Sequence, residues 1–402
     1  MTTTLRWLLV TVLAGHGLLH LLGVAKGFGW ADVSQLSEPI GVRAGALWLL
    51  AAALVLTATA FLAVWRGPTT TWWWALALVA VAMSQLAIAT SWSDARAGSI
   101  VNVVLVLAAA YGFASEGPSS FHAQYRERAT RALDDVDSSS TAVSETDLVG
   151  LPRPLAAYIR RSGAVGEPRV VSFHADFHGR IRSGPDAPWM PFTGEQVNTY
   201  GSRPQRIFLM DATRGGLPVT VLHEFADTTA TMRVKLLSLF TVVDASGPEM
   251  DRGETVTVFN DLVVMAPGAI TSASVTWTAI DAQHVRGAFT DGNETISAVL
   301  TFNAEHDLVD FVSDDRTRAS TDGKTFTQRR WSTPLAGHRD EDGHRVLTIG
   351  EGVWQTRQPS GSFTYLEFHL DAITYNVGDP ETATTTRGPI PVTPALRASS
   401  SA

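Results

Sequence analysis

Four stretches free of any charged residue, Trp7–Ala25, Ala44–Trp65, Trp72–Trp92 and Ala97–Ser115, constrain this chain more than any other feature. Each runs for about 19–22 residues, the length that a hydrocarbon core of ~30 Å requires at ~1.5 Å per helical residue. Tryptophans stand near their ends (Trp7, Trp30, Trp65, Trp72-Trp73-Trp74, Trp92), where indoles prefer the headgroup layer. A cleaved leader is a poor reading of the first stretch, because three more follow it and only Arg6 precedes it. The expectation is a four-helix transmembrane domain over residues 1–115, in a multi-pass protein of the cell membrane. Arg6, Arg66, Arg126, Arg128 and Arg131 fall on one side of such a bundle, and Lys26, Arg43 and Arg96 on the other. The side richer in Lys and Arg is cytoplasmic, so the C-terminal domain is expected in the cytoplasm.

Polar residues inside the spans are the exceptions. His16 and His20 lie four residues apart, on one helix face. Intramembrane ionisable groups are costly and mark a partner or a functional path, so a metal or proton-relay role is one reading. The preferred reading is structural: neutral imidazoles bonded to Ser84 or Gln85 of the third stretch, or to Asn102 of the fourth. Gly15, Gly17 and Gly23 would let the helices approach closely enough. Asp94 and Arg96, in the turn after Trp92, are expected to form an interfacial ion pair.

Charged residues are only 17% of the chain because of these spans, and the net charge of −8 gives no basic footprint for nucleic acid. There is no cysteine, which excludes disulfides, thiolate nucleophiles and Cys-type metal centres. Residues 116–150 read as an amphipathic segment and flexible linker: Phe121, Tyr125, Arg128, Ala129 and Leu133 keep helical spacing, and Ser138, Ser139, Ser140 and Thr141 follow. Residues 379–402 are Thr, Pro, Ser and Ala with little to bury, and are expected to be disordered.

Between them, 151–378 reads as a β-rich soluble domain. Phe173, Ala175, Phe177 and Ile181 alternate with His174, Asp176, His178, Arg180 and Arg182, the period-two mark of a half-buried strand. Further strands are expected at 206–212, 218–225, 229–237, 274–279, 284–290, 294–302, 308–313 and 363–370. Arg214-Gly215-Gly216, Asp291-Gly292-Asn293, Asp322-Gly323 and Asp342-Gly343 supply turns. One short helix opens the domain at Leu155, Tyr158 and Ile159. A second is expected at Val256, Phe259, Leu262 and Val263, ending at Ala266-Pro267-Gly268. Strands without intervening helices mean an antiparallel sheet, and about nine of them should curl into a barrel or half-barrel. Its inner face would carry Phe173, Phe177, Phe208, Val221, Trp277, Phe289, Phe302, Phe311 and Tyr365, either as a filled core or as the lining of an apolar cavity.

No phosphate-binding loop, nucleophile elbow or His-Glu-x-x-His motif is present; Leu222-His223-Glu224-Phe225 is the nearest fragment. The metal candidate is His174-Asp176-His178, whose side chains step by ~7 Å along one strand face and need not converge. His338 to His344 reads as a hairpin rather than a metal loop. Glu254 and Asp261, two turns apart on the second helix, share a face and are candidates for acid–base work, with helix-surface charge as the commoner meaning.

Longer signatures add a resemblance. Leu151-Pro152-x-Pro154-Leu155 with Tyr158 and Ser162-Gly163, Trp189-Met190-Pro191-Phe192, Phe259-Asn260-Asp261-Leu262, Val275-Thr276-Trp277, Arg330-Trp331-Ser332-Thr333-Pro334-Leu335, Gly352-Val353-Trp354 and Ile373-Thr374-Tyr375-Asn376 together resemble a bacterial family catalogued only as a domain of unknown function. The resemblance implies an architecture, often with a four-helix membrane module, and no activity, cofactor or catalytic residue. The leading expectation is therefore a non-enzymatic, membrane-tethered module that binds a lipid or other hydrophobic ligand. An enzyme using Glu254 and Asp261 or the histidine row, and a sensor or assembly factor acting through protein partners, are the alternatives.

Overall fold

A computed structural model describes residues 3–64, 72–136, 141–319, 325–341, 343–357 and 360–378. Trp65, Arg66, the linker residues Ser138, Ser139 and Ser140, the Asp322-Gly323 turn, Asp342 and the tail from residue 379 lie outside the described residues.

The N-terminal region is helical: α1 (Thr3–Gly27), α2 (Val42–Val64), α3 (Trp73–Ala89), the single turn α4 (Trp92–Ala95), α5 (Gly98–Glu116) and α6 (Phe121–Asp134). Three helical stretches, Arg6–Gly27, Val42–Val64 and the one that begins at Gly98, are long and apolar enough to cross a membrane. The expected third span is shorter than the sequence suggests. Helix α3 has 17 residues, about 25 Å at ~1.5 Å per residue. It stops where the Thr90 hydroxyl donates to Ala87 O and accepts from Trp48 Nε1 at 3.2 Å. Small residues set the packing, as expected for apolar helices: Gly27 lies against Gly45, Gly17 under Leu56, and Gly23 under the Trp48 ring. The expected Asp94–Arg96 pair is replaced by a different contact. The Asp94 carboxylate accepts from the backbone N–H of Ser37 (2.6 Å) and Glu38 (3.0 Å) and from Ser37 Oγ (2.7 Å), because the α1–α2 loop presents these donors to it.

Helix α6 belongs to the β-domain's packing. Ser120 caps it by accepting from Ala123 N–H at 3.1 Å. Its apolar stripe, Phe121, Tyr125, Ala129, Ala132 and Leu133, is buried against Val197, Ile207, Leu209 and Leu222. The helical spacing of Phe121, Tyr125, Ala129 and Leu133 corresponds to α6, whose apolar stripe docks on the sheet.

After α7 (Arg153–Arg161) come six strands joined by hairpins: β1 (Ser172–Ile181), β2 (Met190–Thr199), β3 (Gln205–Arg214), β4 (Leu217–Ala226), β5 (Thr229–Leu236) and β6 (Phe240–Ser246). Helix α8 (Pro248–Met265) interrupts the series. Then follow β7 (Val275–Ala279), β8 (His284–Asp291), β9 (Glu294–Phe302), β10 (Leu308–Ser313), β11 (Thr317–Ala319), β12 (Phe326–Gln328), β13 (Trp331–Ser332), β14 (Leu335–Glu341), β15 (His344–Arg357) and β16 (Ser360–Tyr375). The described strands form a 14-stranded sheet in the order β6-β5-β4-β3-β2-β1-β16-β15-β13-β10-β9-β8-β7, with β14 beside β15, and β11–β12 pair separately. The pairings are antiparallel and the sheet curls as a half-barrel around α8.

The strand count exceeds the expected nine for identifiable reasons. Strand β2 escapes an apolar period-two search because its inward positions are Phe192, Gly194, Gln196 and Asn198. Strand β15 carries Gly350 and Gly352, whose missing side chains are covered by the cross-strand rings of Phe368 and Tyr365. Strand β6 is an exposed edge.

The concave face is filled by α8. Val256, Phe259, Leu262 and Val263 are buried in one core with the strands. Phe259, fully buried, stacks on Phe289 at 5.4 Å and meets Phe311 edge-on at 5.5 Å. A side chain at Gly287 would strike both Phe259 and Trp277. Phe259→Ala should therefore cost about 3–5 kcal/mol, as for other fully buried aromatics. The check is the unfolding midpoint of the full chain in detergent; a loss below ~1 kcal/mol would mean that α8 does not fill the half-barrel.

Candidate functional site

The helical spacing of Glu254 and Asp261 puts both carboxylates on the face of α8 that meets the sheet, where one guanidinium receives them. Arg206 of β3 donates from Nη1 to Glu254 Oε1 (2.8 Å), from Nε to Asp261 Oδ2 (2.8 Å) and from Nη2 to Gln196 Oε1 (3.0 Å). Gln196 Nε2 donates to Asp261 Oδ2 at 2.7 Å and to Asn198 Oδ1 at 2.8 Å; Asn198 Nδ2 lies 3.2 Å from the same Asp261 oxygen. Strand register explains the convergence, since Asn198 pairs with Arg206, Gln196 with Phe208, and Phe208 with His223. His223 Nε2 sits 3.1 Å from Glu254 Oε2 but off the hydrogen-bond direction. All of these groups except His223 are less than a tenth exposed.

Burial works against the charged form of Glu254, but the neighbouring cations (His223 once protonated in acid, Arg206 and Arg316) outweigh it and hold the carboxyl below its usual range. For Asp261 burial prevails over Arg206 and raises the carboxyl. Burial lowers His223 to about 4, so it is neutral at neutral pH. Two carboxylates pushed in opposite directions resemble an acid–base pair. Yet these two line neither the cavity of about 520 Å³ nor that of about 770 Å³ at the ends of the sheet, and Glu254 is 1% exposed. The arrangement ties α8 to β2 and β3 through Arg206, Gln196 and Asn198.

The expected inner-face residues also lie around α8. Phe173, Phe177, Val221, Phe289, Phe302 and Phe311 are buried in one core, with Phe208, Trp277 and Tyr365 half-buried against it. The histidine row occupies the other face of β1 and does not converge. His174 is buried, whereas His178 is exposed, with Nδ1 2.7 Å from Asp371 and its ring stacked on His369 at 4.9 Å. Among the described residues no group of three or more His, Asp or Glu could hold a metal ion. In the helical region His16 Nε2 lies 3.1 Å from Ser84 Oγ and 3.2 Å from Asn102 Oδ1, and His20 Nε2 lies 2.8 Å from Ser84 Oγ. Asn102 Nδ2 donates to Gln85 Oε1 at 3.0 Å.

A further site was not legible in the sequence. A cavity of about 520 Å³ opens where the apolar helices meet the rim of the half-barrel, lined by Arg6, Tyr111 and Glu116 on one side and by Phe192, Asp211 and Pro218 on the other. His122, at the start of α6, spans it. Its Nε2 lies 2.8 Å from Asp211 Oδ2 and its Nδ1 3.0 Å from Ser115 O. Both partners only accept, so both ring nitrogens must carry protons and the imidazole is cationic. Burial opposes this charge, but the bond to Asp211 and its charge raise His122 to about 9. The one available signal was a histidine at the head of an amphipathic helix.

Residues 141–368, more than half of the chain, match a family of unknown function, DUF6544. The chain belongs to this family. No curated protein matches it. Among solved structures, a DUF1329 family protein from Desulfovibrio piger aligns at TM-score 0.33 and 12% identity, over 56% of this chain and 92% of that one. A domain described as an outer membrane lipoprotein-sorting protein, from Vibrio parahaemolyticus, aligns at TM-score 0.30 and 11% identity, over 54% and 89%. Neither likeness bears on ligand or activity.

Two outcomes follow for the DUF6544 domain. Arg206→Met strands two buried carboxylates and should cost about 3–5 kcal/mol. Adding Glu254→Gln and Asp261→Asn should recover part of that loss in thermal melts; no recovery would mean that charge is not the cause. His122, raised in the folded state, contributes stability that is complete below the unfolded value of ~6.5 and lost as pH rises through about 9. Between pH 7 and 10 the wild type should lose about 3 °C or more of Tm relative to His122→Gln, the size of a ~1 kcal/mol effect. Parallel pH profiles for the two would contradict the cationic assignment.

Proposed function

We propose that this DUF6544 protein is a membrane-tethered binding module for an amphipathic, lipid-class ligand, held where the rim of the half-barrel meets the bilayer. The carrying observation is the junction cavity of about 520 Å³, a size within the ~300–1,000 Å³ of small-molecule sites. Its lining combines apolar surface from Phe192, Pro218 and Ala212 with the ionic groups of Arg6, His122 and Asp211. Such a lining suits a ligand with an acyl portion and a charged head. The cavity also lies beside the end of α5, so a ligand could enter from the membrane without crossing water.

The same reading favours a bundle of four crossing helices, in which α3, with Trp73 and Trp74 at its start, follows its longer neighbours across a locally thinner bilayer. It also favours a cytoplasmic half-barrel, given the excess of Arg on the side of Arg6 and Arg126. The aromatic residues around α8 act in it as packed core, and Glu254 and Asp261 as its lock. Their enclosure, away from the junction cavity, favours the binding reading over the enzymatic alternative.

Native mass spectrometry of the full chain released from nanodiscs of phosphatidylethanolamine and phosphatidylglycerol tests the proposal. The expected result is a retained adduct of lipid mass that disappears in Thr213→Trp, whose indole would fill the cavity while the melting temperature stays within a few degrees. A bare wild-type mass, or an adduct equally retained by the Trp variant, would overturn it.

A further inference from the structure

Two neighbouring hairpins end in apolar side chains that the described part of the fold leaves uncovered. Leu217 is 46% exposed, Leu239 49%, Phe240 60% and Val242 56%. The β3–β4 turn runs through Gly215-Gly216 and the β5–β6 turn through Leu237-Ser238, both pairs at positive φ. Leu237 N–H donates to Pro218 O at 2.8 Å, which fixes the two tips side by side. At consecutive turn positions with positive φ, Asn and Gly are the low-strain choices. Here Leu237 holds φ at 54° and Ser238 at 57°, so an apolar residue is kept at the tip against backbone preference.

The height of these tips along the molecule is set by the junction cavity. Pro218 and Ser238 line it together with Arg6, Ser115 and Glu116, which lie near the start of α1 and at the end of α5. The tips therefore stand level with the points where the apolar helices begin and end. Cations stand next to them: Arg214 is exposed beside Gly215, and Lys235 rests its Nζ 4.5 Å from the Phe121 ring centroid. An apolar wedge with a cationic collar is the composition that enters the boundary between headgroups and acyl chains, and it is drawn to anionic lipid.

We propose that the hairpin tips carrying Leu217, Leu239, Phe240 and Val242 insert into the interfacial layer of the same bilayer that the helices cross. The half-barrel would then grip the membrane at a second place, and the junction cavity would open onto lipid between the two grips. The proposal rests on the reading that the apolar helices span a bilayer. The other occupant of such a surface is a second copy of the chain, because β6 is a sheet edge with unpaired ladder groups.

The chain has no cysteine, so single sites can be labelled in the full protein. Phe240→Cys, Thr229→Cys and Leu107→Cys, each carrying bimane, would be reconstituted in phosphatidylethanolamine–phosphatidylglycerol vesicles with or without 5-doxyl lipid. Thr229 starts β5 at the end remote from the tip, about 24 Å along the strand at ~3.4 Å per residue. Leu107 is 65% exposed on α5 and reports the span itself. The expected result is a blue-shifted Phe240→Cys emission, quenched by 5-doxyl lipid at least half as strongly as Leu107→Cys, with Thr229→Cys quenched only by aqueous iodide. If Leu107→Cys is quenched while Phe240→Cys behaves like Thr229→Cys, the proposal fails and the spanning reading stands. If Leu107→Cys escapes quenching, the spanning reading fails and the proposal with it. Efficient disulfide crosslinking between unlabelled Phe240→Cys copies, without lipid quenching of the label, would assign the surface to a second copy and overturn the proposal.

Discussion

Arg206 is the group on which the half-barrel's geometry turns. It is buried, it comes from the sheet, and it takes two carboxylates from a single helix. Because Glu254 and Asp261 lie two turns apart, one guanidinium fixes both the rotation of α8 about its axis and its position along the strands. A buried ion set of this kind is weak evidence for stability, since the desolvation of three charges offsets most of their attraction. Its value lies in specificity: displacement of α8 from the register in which both carboxylates reach Arg206 leaves at least one of them buried and unpaired. The apolar face of α8 then does the larger thermodynamic work, with Phe259 set among Phe289, Phe311 and Trp277.

That division of labour bears on function. A curved sheet with an aromatic concave face invites a ligand in place of core. Here the place is taken by α8, and the described cavities are displaced to the ends of the sheet. The larger chemical contrast lies at the membrane end, where α6 covers the convex face and His122 ties the end of α5 to Asp211. Helix α6 is thus both the continuation of the apolar helices and a layer of the β-domain. Two ionic contacts hold this element to the sheet, His122 with Asp211 of β3 and Arg128 with Glu224 of β4.

Much of this was legible from residues alone. Charge-free runs located the apolar helices, and the His16 and His20 spacing pointed to the face that Ser84 and Asn102 approach. Alternation in β1 and the 3.6 period of α8 were equally plain, and the spacing of Glu254 and Asp261 put both on one face. What remained hidden was long-range. Nothing near Arg206 in sequence says that it meets α8, and Gln196 and Asn198 read as loop-like because their inward side chains are polar. Strand β15 was obscured by glycines whose space is filled from the next strand. The docking of α6 depends on Ile207, Leu209 and Leu222 facing outward, which alternation alone assigns to neither side of the sheet. Helix α3 is shorter than its charge-free stretch because the stretch runs on past the C-cap Thr90 into the turn at Ser91.

On the proposed function, the cavity at the joint of the apolar helices and the half-barrel holds an amphipathic molecule taken from the bilayer. Single-particle cryo-electron microscopy of the full chain in lipid nanodiscs, with a rigid antibody fragment for alignment, addresses it directly. The expected result is elongated density between Tyr111 and Phe192, its polar end at His122 and Asp211, with α6 seated on the convex face. A joint closed by side chains or filled only by solvent, with α6 away from the sheet, would contradict it.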